Sequence, residues 1–481
     1  MNDTTDEESF HVEPQSLLKI PTHIKGLDEV LHGGIPKSRL TIINGGPGAG
    51  KTIVGLELLV RGTESGQSAI FISFEETREA MRRNALSLGW DLAKLEEEGK
   101  LVLINPEIDY QAVSAGEFNI EGLCAILEGQ AKRLGANLVV IDAVDMLMRL
   151  FNDADNARNQ LIDLHRCLNG QELTAVMTVK AMESDKKNYA YLDFMADCVI
   201  NLNQRIVNQV ITRRLHVAKY RGSDFASREH PFVITKNGIV VMPLTFVDHV
   251  KHSTGEFVSS GDTVIDEIFG GGYRKGSSIL ISGPSGSGKT TMTFILSVAA
   301  AKRGEKVLFL SFEESEIALC SEMLSVGLNL KPFIKNETLR ITSVMPESMG
   351  MEEHLYRIVT EIDEFKPQHI ILDAISATNR IGSKQSAMEF LIRLYNEAKK
   401  RRITCIFTNQ TILSKEDDLD ISGLEISSIV DSVILLNLFK SGNHVARSLL
   451  VLKSRGTHHS NKYHEFIITD DGISIEYSAK H

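Results

Sequence analysis

Gly45-Gly46-Pro47-Gly48-Ala49-Gly50-Lys51-Thr52 decides the reading of this chain, and Gly283-Pro284-Ser285-Gly286-Ser287-Gly288-Lys289-Thr290 is a second copy of it. Both fit G-x-x-x-x-G-K-[ST], and both follow a short apolar run, Leu40 to Ile43 and Ser278 to Ile281. Such a run reads as a buried strand feeding a turn and then a helix. Glycines let the backbone take positive φ and turn its N–H groups inward around a triphosphate. In this reading Gly46, Gly48, Ala49 and Gly50 wrap one set of phosphates, and Ser285, Gly286, Ser287 and Gly288 wrap the other. Ile53 and Thr291, just beyond, belong to the same nucleotide sites. Lys51 and Lys289 neutralise the β/γ oxygens, while Thr52 and Thr290 hold Mg²⁺. A glycine-rich turn that binds nothing would account for one match. Two matches in the same context predict two nucleotide sites.

Length and composition set the frame. A chain of 481 residues predicts two or three domains, each able to bury its own core. Apolar residues at 42% and charged residues at 24% are ordinary for a soluble globular protein. A net charge of -11 argues against a large nucleic-acid footprint. Five cysteines (Cys124, Cys167, Cys198, Cys320 and Cys405) lie apart in apolar company without a C-x-x-C pair, so reduced thiols rather than metal or redox chemistry are expected. Residues 1–14 read as a disordered acidic tail that lacks the basic start and apolar core of a signal peptide. No apolar run approaches the roughly 20 residues that span a bilayer. A cytoplasmic location without membrane contact is expected.

Self-comparison shows the organisation. An offset of 238 carries Lys51 onto Lys289, Asp28 onto Asp266 and Phe74-Glu75-Glu76 onto Phe312-Glu313-Glu314. It drifts to 231 for Asp142 and Asp373, and to 234 for Lys219-Tyr220-Arg221-Gly222 and Lys453-Ser454-Arg455-Gly456. One domain is duplicated in tandem, as residues 15–247 and 248–481, with a join near Val247 to Ser260. Helices are expected over Ile53 to Arg61 and Met292 to Lys302. Strands are expected at Ser68 to Phe74, Leu138 to Asp142 and Ala175 to Thr178, and at Lys306 to Phe312, Ile370 to Asp373 and Cys405 to Thr408. Each copy closes with β-type alternation, Phe232 to Val241 and Phe466 to Ile475. The predicted class is α/β: a duplicated, mostly parallel, doubly wound sheet with antiparallel edge strands.

Asp142 and Asp373 end apolar strands, where a carboxylate can hold Mg²⁺ through water. Glu75-Glu76 and Glu313-Glu314 follow a buried strand, well placed to orient or deprotonate an attacking group. Lys219 and Arg221 flank Tyr220 on a strand and point to one face, as do Lys453 and Arg455 around Ser454. They read either as a solvated strand face or as cationic fingers for a neighbouring subunit's nucleotide, which requires a ring. Offset 234 sets Asp193-Phe194 against Ser427-Ser428, so the second half has two hydroxyls where the first has none.

Together the tandem P-loops, the Phe-Glu-Glu pairs, the Lys-x-Arg-Gly segments and Glu425-Ile426-Ser427-Ser428-Ile429-Val430-Asp431 resemble the KaiC family of the RecA superfamily, over about Leu18 to Ile475. That family's clock protein is an ATPase and autokinase. The resemblance implies a homohexameric double ring with ATP and Mg²⁺ at subunit interfaces in both tiers. It implies a slow ATPase in the first tier, with Glu75 and Glu76 positioning water. In the second it implies a serine autokinase and autophosphatase, with Glu313 as general base and at the metal, Glu314 beside it, and Ser427 and Ser428 as phosphosites. Ser422 matches a further hydroxyl position. Lys453, Arg455 and Arg447, and likewise Lys219, Arg221 and Arg213, would contact a neighbour's γ-phosphate. Ser428 stands where the clock protein has Thr. The clock protein also continues into a tail that binds its activator KaiA, whereas this sequence ends at His481, which argues against KaiA binding. A KaiB-like partner fits the first tier, and a signalling or timing core, clock-like or stress-adaptive, fits the whole. The alternative is a RecA- or RadA-like recombination ATPase that binds DNA. The acidic balance and the lack of a basic stretch with interleaved aromatics stand against it.

Overall fold

Each apolar run that feeds a glycine-rich turn becomes an inner strand of a nine-stranded sheet. The computed structural model describes residues 17–106, 120–151, 153–180, 186–207, 210–243, 255–380, 383–411, 426–470 and 472–475. The expected acidic tail, Ser422, Glu425 and the first part of the expected join lie outside them. Contacts divide the chain into two compact units, one holding nearly all residues to Thr245 and the other those from Phe246.

The first unit opens with a ribbon of β1 (Lys19–Ile20) and β2 (Ile35–Pro36). Its sheet is built from β3 (Leu40–Gly45), β4 (Ala69–Ser73), β5 (Leu101–Ile104), β6 (Leu138–Asp142), β7 (Thr174–Lys180), β8 (Cys198–Val207), β9 (Val210–Tyr220), β10 (His230–Thr235) and β11 (Gly238–Val241). The order is β5-β4-β6-β7-β3-β8-β9-β10-β11. The six strands from β5 to β8 are parallel, and β9, β10 and β11 pair antiparallel. The second unit repeats this. A ribbon of β12 (Phe257–Val258) and β13 (Tyr273–Arg274) precedes β14 (Ser278–Gly283), β15 (Val307–Ser311), β16 (Leu339–Ser343), β17 (His369–Asp373), β18 (Thr404–Gln410), β19 (Ser432–Ser441), β20 (His444–Ser454), β21 (His464–Thr469) and β22 (Gly472–Ile475). The order β16-β15-β17-β18-β14-β19-β20-β21-β22 is the same path through a second sheet.

Helices cover both faces, which is why the inner strands are apolar throughout rather than alternating. Leu56, Leu59 and Val60 of the helix Lys51–Glu64 pack with Phe71, Val140 and Ile200 on one face. Leu127, Leu161 and Leu164 meet Ile42, Ile70, Val139 and Ile141 on the other. In the second unit Phe294, on the helix Lys289–Lys302, stacks on Phe309 of β15 with ring centroids 4.2 Å apart.

Several boundaries differ from the sequence reading, for one reason. The P-loop helices start at Lys51 and Lys289 themselves, and β7 and β18 run past the expected Thr178 and Thr408 to Lys180 and Gln410. The last residues, Lys180 and Gln410, are polar and not buried, so the apolar pattern stops before the backbone pairing does. Gly45 stays in register with Lys180, and Gly283 with Gln410. The cysteines also need correction: Cys198 and Cys405 are buried, but Cys124 and Cys167, far apart in sequence, lie side by side. Burial first and then Cys167 push the Cys124 thiol up to about 12, so it stays protonated.

The loops are seated by close backbone approach. A Cβ on Gly283 would lie 2.2 Å from the Leu436 carbonyl oxygen of β19, a contact only glycine allows. Gly283→Ala is therefore expected to destabilise the second unit by about 1–3 kcal/mol, as overpacking does. Denaturant unfolding beside Gly129→Ala, a helical glycine whose added Cβ meets nothing within 4 Å, checks it.

Candidate nucleotide sites

At the C-terminal end of each central strand the chain turns through glycines in the left-handed region, Gly48 and Gly50 at φ 72° and 98°, Gly286 and Gly288 at 77° and 96°. L-residues pay a steric penalty there, so the glycines are what let successive N–H groups point at one anion above the helix N-terminus. Ala49 and Ser287 turn their side chains into the fold, and Thr291 is buried, so these three offer backbone N–H groups rather than side chains. Ser285 and Gly286 are exposed, and Gly46, Ile53 and Thr52 are half-buried. Lys51 Nζ donates to the Gly46 carbonyl at 3.1 Å, and Lys289 Nζ to those of Gly283 and Pro284 at 2.9 and 2.8 Å. Burial lowers the pKa of both lysines, opposed by Asp142, Asp145 and Glu75 at the first and by Asp373 and Glu313 at the second.

The strand-end aspartates are each held by two threonines. Thr52 Oγ1 donates to Asp142 Oδ2 at 2.9 Å, and Thr178 Oγ1 donates to Oδ1. Thr290 and Thr408 do the same for Asp373, the former at 2.8 Å. Burial raises both carboxyls and these hydroxyls oppose it. Mg²⁺ fits here: a hydroxyl and a buried carboxylate meet at the mouth of an anion cradle, the hard oxygen set that cation takes together with phosphates. Among the described residues no three His, Cys, Asp or Glu side chains converge as a self-sufficient metal site.

The Phe-Glu-Glu turns hang on the same strand ends. Phe74 N–H donates to the Asp142 carbonyl at 2.7 Å, and Phe312 N–H to that of Asp373 at 2.8 Å. The first glutamate of each turn is exposed, and its charge acts on the P-loop lysine. Glu75 lines the first cavity with Lys51, Thr52 and Lys180, and burial, then Asp142 and Asp145, raise its pKa. The second glutamate turns elsewhere. Glu76 accepts from Asn84 Nδ2 at 3.0 Å, whereas Glu314 meets Glu322, the residue that replaces Asn84 in the repeat.

The six expected finger cations separate into two groups. Arg213 Nε donates to the Gly48 carbonyl at 3.5 Å and Arg447 Nε to that of Gly286 at 3.1 Å, so both stand at their own P-loops. The other four stand at the opposite end of the sheet. Lys453 Nζ donates to the carbonyls of Ser427 and Val430 at 2.8 and 2.9 Å, and Arg455 to that of Ser428 at 2.8 Å. Lys219 and Arg221 grip Asp193 and Phe194 in the same way, at 2.6 and 2.7 Å. The backbone carbonyls that hold these side chains are neutral acceptors.

Ser427 and Ser428 lie in the turn Ile426–Ser428 that leads into β19, Ser427 half-buried and Ser428 exposed. The turn is anchored by Asp431, which accepts from Ser278 N and Oγ at 2.9 Å and from Lys399 at 2.8 Å. Burial works against that carboxylate, but Lys399 and Ser278 together hold it below its usual range. Sequence reasoning missed Thr178, Thr408, Lys180, Gln410, Asp145 and the Asn84/Glu322 exchange. The repeat offset carried to the strand ends could have found them.

The KaiC ATPase family model matches residues 20–245 and 258–480. Curated relatives include the circadian clock protein KaiC2 of Synechocystis, 34% identical over 96% of this chain and 82% of that protein. KaiC3 of the same organism is 32% identical over 96% and 92%. The circadian clock oscillator protein KaiC of Synechococcus elongatus is 33% identical over 97% and 91%. In the structure no helix among the described residues is long and apolar enough to cross a membrane.

The Glu314–Glu322 pair makes a pH prediction. Burial first and then Glu322 push Glu314 up to about 7. A raised carboxyl favours the folded state while protonated, fully below about pH 4.5, and that contribution is lost as pH rises through about 7. Glu322→Asn restores the first unit's arrangement, so its Tm should fall less than the parent's between about pH 5 and about pH 8. Thermal melts across that range check it.

Proposed function

The chain belongs to the KaiC ATPase family, and on that premise we propose that it is a two-site ATPase whose second domain (248–481) is also a serine autokinase acting between copies. The first domain (15–247) hydrolyses ATP; the second passes the γ-phosphoryl group to Ser427 or Ser428 of a neighbouring copy in a homohexameric double ring. One observation carries this reading. Ser427 and Ser428 stand at the N-terminal end of β19, beside Ser278, whereas the P-loop leaves the C-terminal end of β14 at Gly283. Five strand steps, roughly 17 Å, separate the acceptors from their own nucleotide site. That separation supports a second copy as the source of the ATP.

Mg²⁺, held by Thr290 and Asp373 in the second site and by Thr52 and Asp142 in the first, would neutralise charge on the β and γ oxygens. The chain's own groups do the rest. The P-loop N–H groups and Lys289 orient the triphosphate, and Glu313 accepts the proton of the serine hydroxyl as its oxygen bonds to γ-phosphorus. ADP leaves with the bridging oxygen. Lys453 and Arg455, carried beside the serines, arrive with them at the neighbour's γ-phosphate, where such cations are worth about 10³–10⁵ in rate. In the first domain Glu75 receives the proton of water, and Lys219 and Arg221 play the finger part. Glu76, turned to Asn84, and Glu314, turned to Glu322, act by positioning those turns. A timing role follows the relatives' names, a stress-signalling role is the other form of the same reading, and DNA recombination is the less favoured one.

Intact-mass spectrometry after incubation with Mg-ATP tests the kinase. The parent should gain one or two phosphates, and Glu313→Gln and the double variant Ser427→Ala/Ser428→Ala should gain none. Clear ATP turnover without added phosphate on the parent would leave only the ATPase.

A further inference from the structure

The two sites differ where the repeat would be expected to keep them alike. Lys180 ends β7 in register with Gly45; Gln410 ends β18 in register with Gly283. Thr178 stands two residues before Lys180, on the same face of the strand, and that face carries the hydroxyl bonded to Asp142. Lys180 therefore shares the face of the metal-site carboxylate, and it lines a cavity of ≈ 340 Å³ with Lys51, Thr52 and Glu75.

Asp145 lies behind it, 1% exposed. Its Oδ1 accepts the backbone N–H of Lys180 at 3.0 Å, and its Oδ2 is buried without a hydrogen-bond partner. Asp145 thus binds the strand end, not the ammonium group of Lys180. Among the described residues that ammonium has no carboxylate within ion-pair distance. The repeat puts Ser376 opposite Asp145, so the first site has gained one acid and one base over the second. Among the described residues the charges that act on Lys51 are those of Asp142, Asp145, Glu75 and Lys180, and those that act on Lys289 are Asp373 and Glu313. The sum of charge is the same, but the first site has a cation to spare at its mouth.

We propose that Lys180 is a second phosphate-binding cation of the first site, directed at the γ-phosphate of a nucleoside triphosphate and positioned by Asp145. Adenine and ribose are untouched by it, and so is a diphosphate bound deeper in the P-loop. The first site then separates triphosphate from diphosphate by a contact within one chain, whereas the second, with the neutral Gln410, depends on the cations a neighbour brings. The inference rests on the nucleotide reading given above.

Equilibrium binding of ADP and of a non-hydrolysable ATP analogue to the full chain tests it, in a Lys289→Ala background that silences the second site. Lys180→Gln should weaken the analogue about 10- to 100-fold, as loss of a charge-assisted contact does, and leave ADP within about twofold. Lys180→Arg should keep most of the analogue affinity. The converse change, Gln410→Lys in a Lys51→Ala background, should tighten the analogue at the second site alone. Equal weakening of both nucleotides by Lys180→Gln, or no weakening of the analogue, would overturn the proposal and leave Lys180 as a counter-charge to Asp145. A Lys289→Ala parent that binds neither nucleotide would overturn the site reading itself.

Discussion

Each unit is organised around one buried carboxylate gripped by two hydroxyls. Asp142 joins Thr52, at the start of the P-loop helix, to Thr178 of β7; Asp373 joins Thr290 to Thr408 of β18. An ionised carboxylate in an apolar interior is costly unless hydrogen bonds replace its water. Two hydroxyls do so, and in doing so tie helix, strand and neighbouring strand into one fixed corner. The Phe-Glu-Glu turn hangs from the same residue through its backbone carbonyl. The cradle, the carboxylate and the glutamate that faces them are therefore placed by a single anchor.

Around that shared architecture the two halves differ at strand ends and in the helices and turns beside them. Asn84 gives way to Glu322, Asp145 to Ser376, Lys180 to Gln410, and Asp193-Phe194 to Ser427-Ser428. Lys180 and Gln410 end parallel strands, and the apolar interior before those ends keeps the same register in both sheets. A duplicated fold can specialise in this way because the core sets stability while residues at the strand ends set chemistry. Cations bonded to neutral carbonyls at the serine turn stand at the far end of the same sheet from the P-loop, and the proposed transfer between copies rests on that separation.

Much of this was legible from residues. The P-loops, Asp142, Asp373 and both glutamate pairs follow from motif and repeat offset, because apolar runs that stop at a glycine or an acid mark buried parallel strands. The antiparallel edge also follows, from the alternation at Phe232 to Val241. The ends of β7 and β18 were not legible, since Lys180 and Gln410 break the apolar pattern while still pairing in the sheet. Nor was the division of the cations. Arg447 and Lys453 are six residues apart on β20, and only the antiparallel direction of that strand shows that they face opposite ends of the sheet.

The account depends most on transfer between copies. Chains with Lys289→Ala but intact serines, mixed with chains carrying Ser427→Ala/Ser428→Ala but an intact second P-loop, isolate that step. Mass spectrometry after Mg-ATP should find phosphate on Ser427 or Ser428 of the Lys289→Ala chains, although those chains alone stay unmodified. Phosphate that forms only on a chain with its own intact second P-loop, and never across the mixture, would contradict the account.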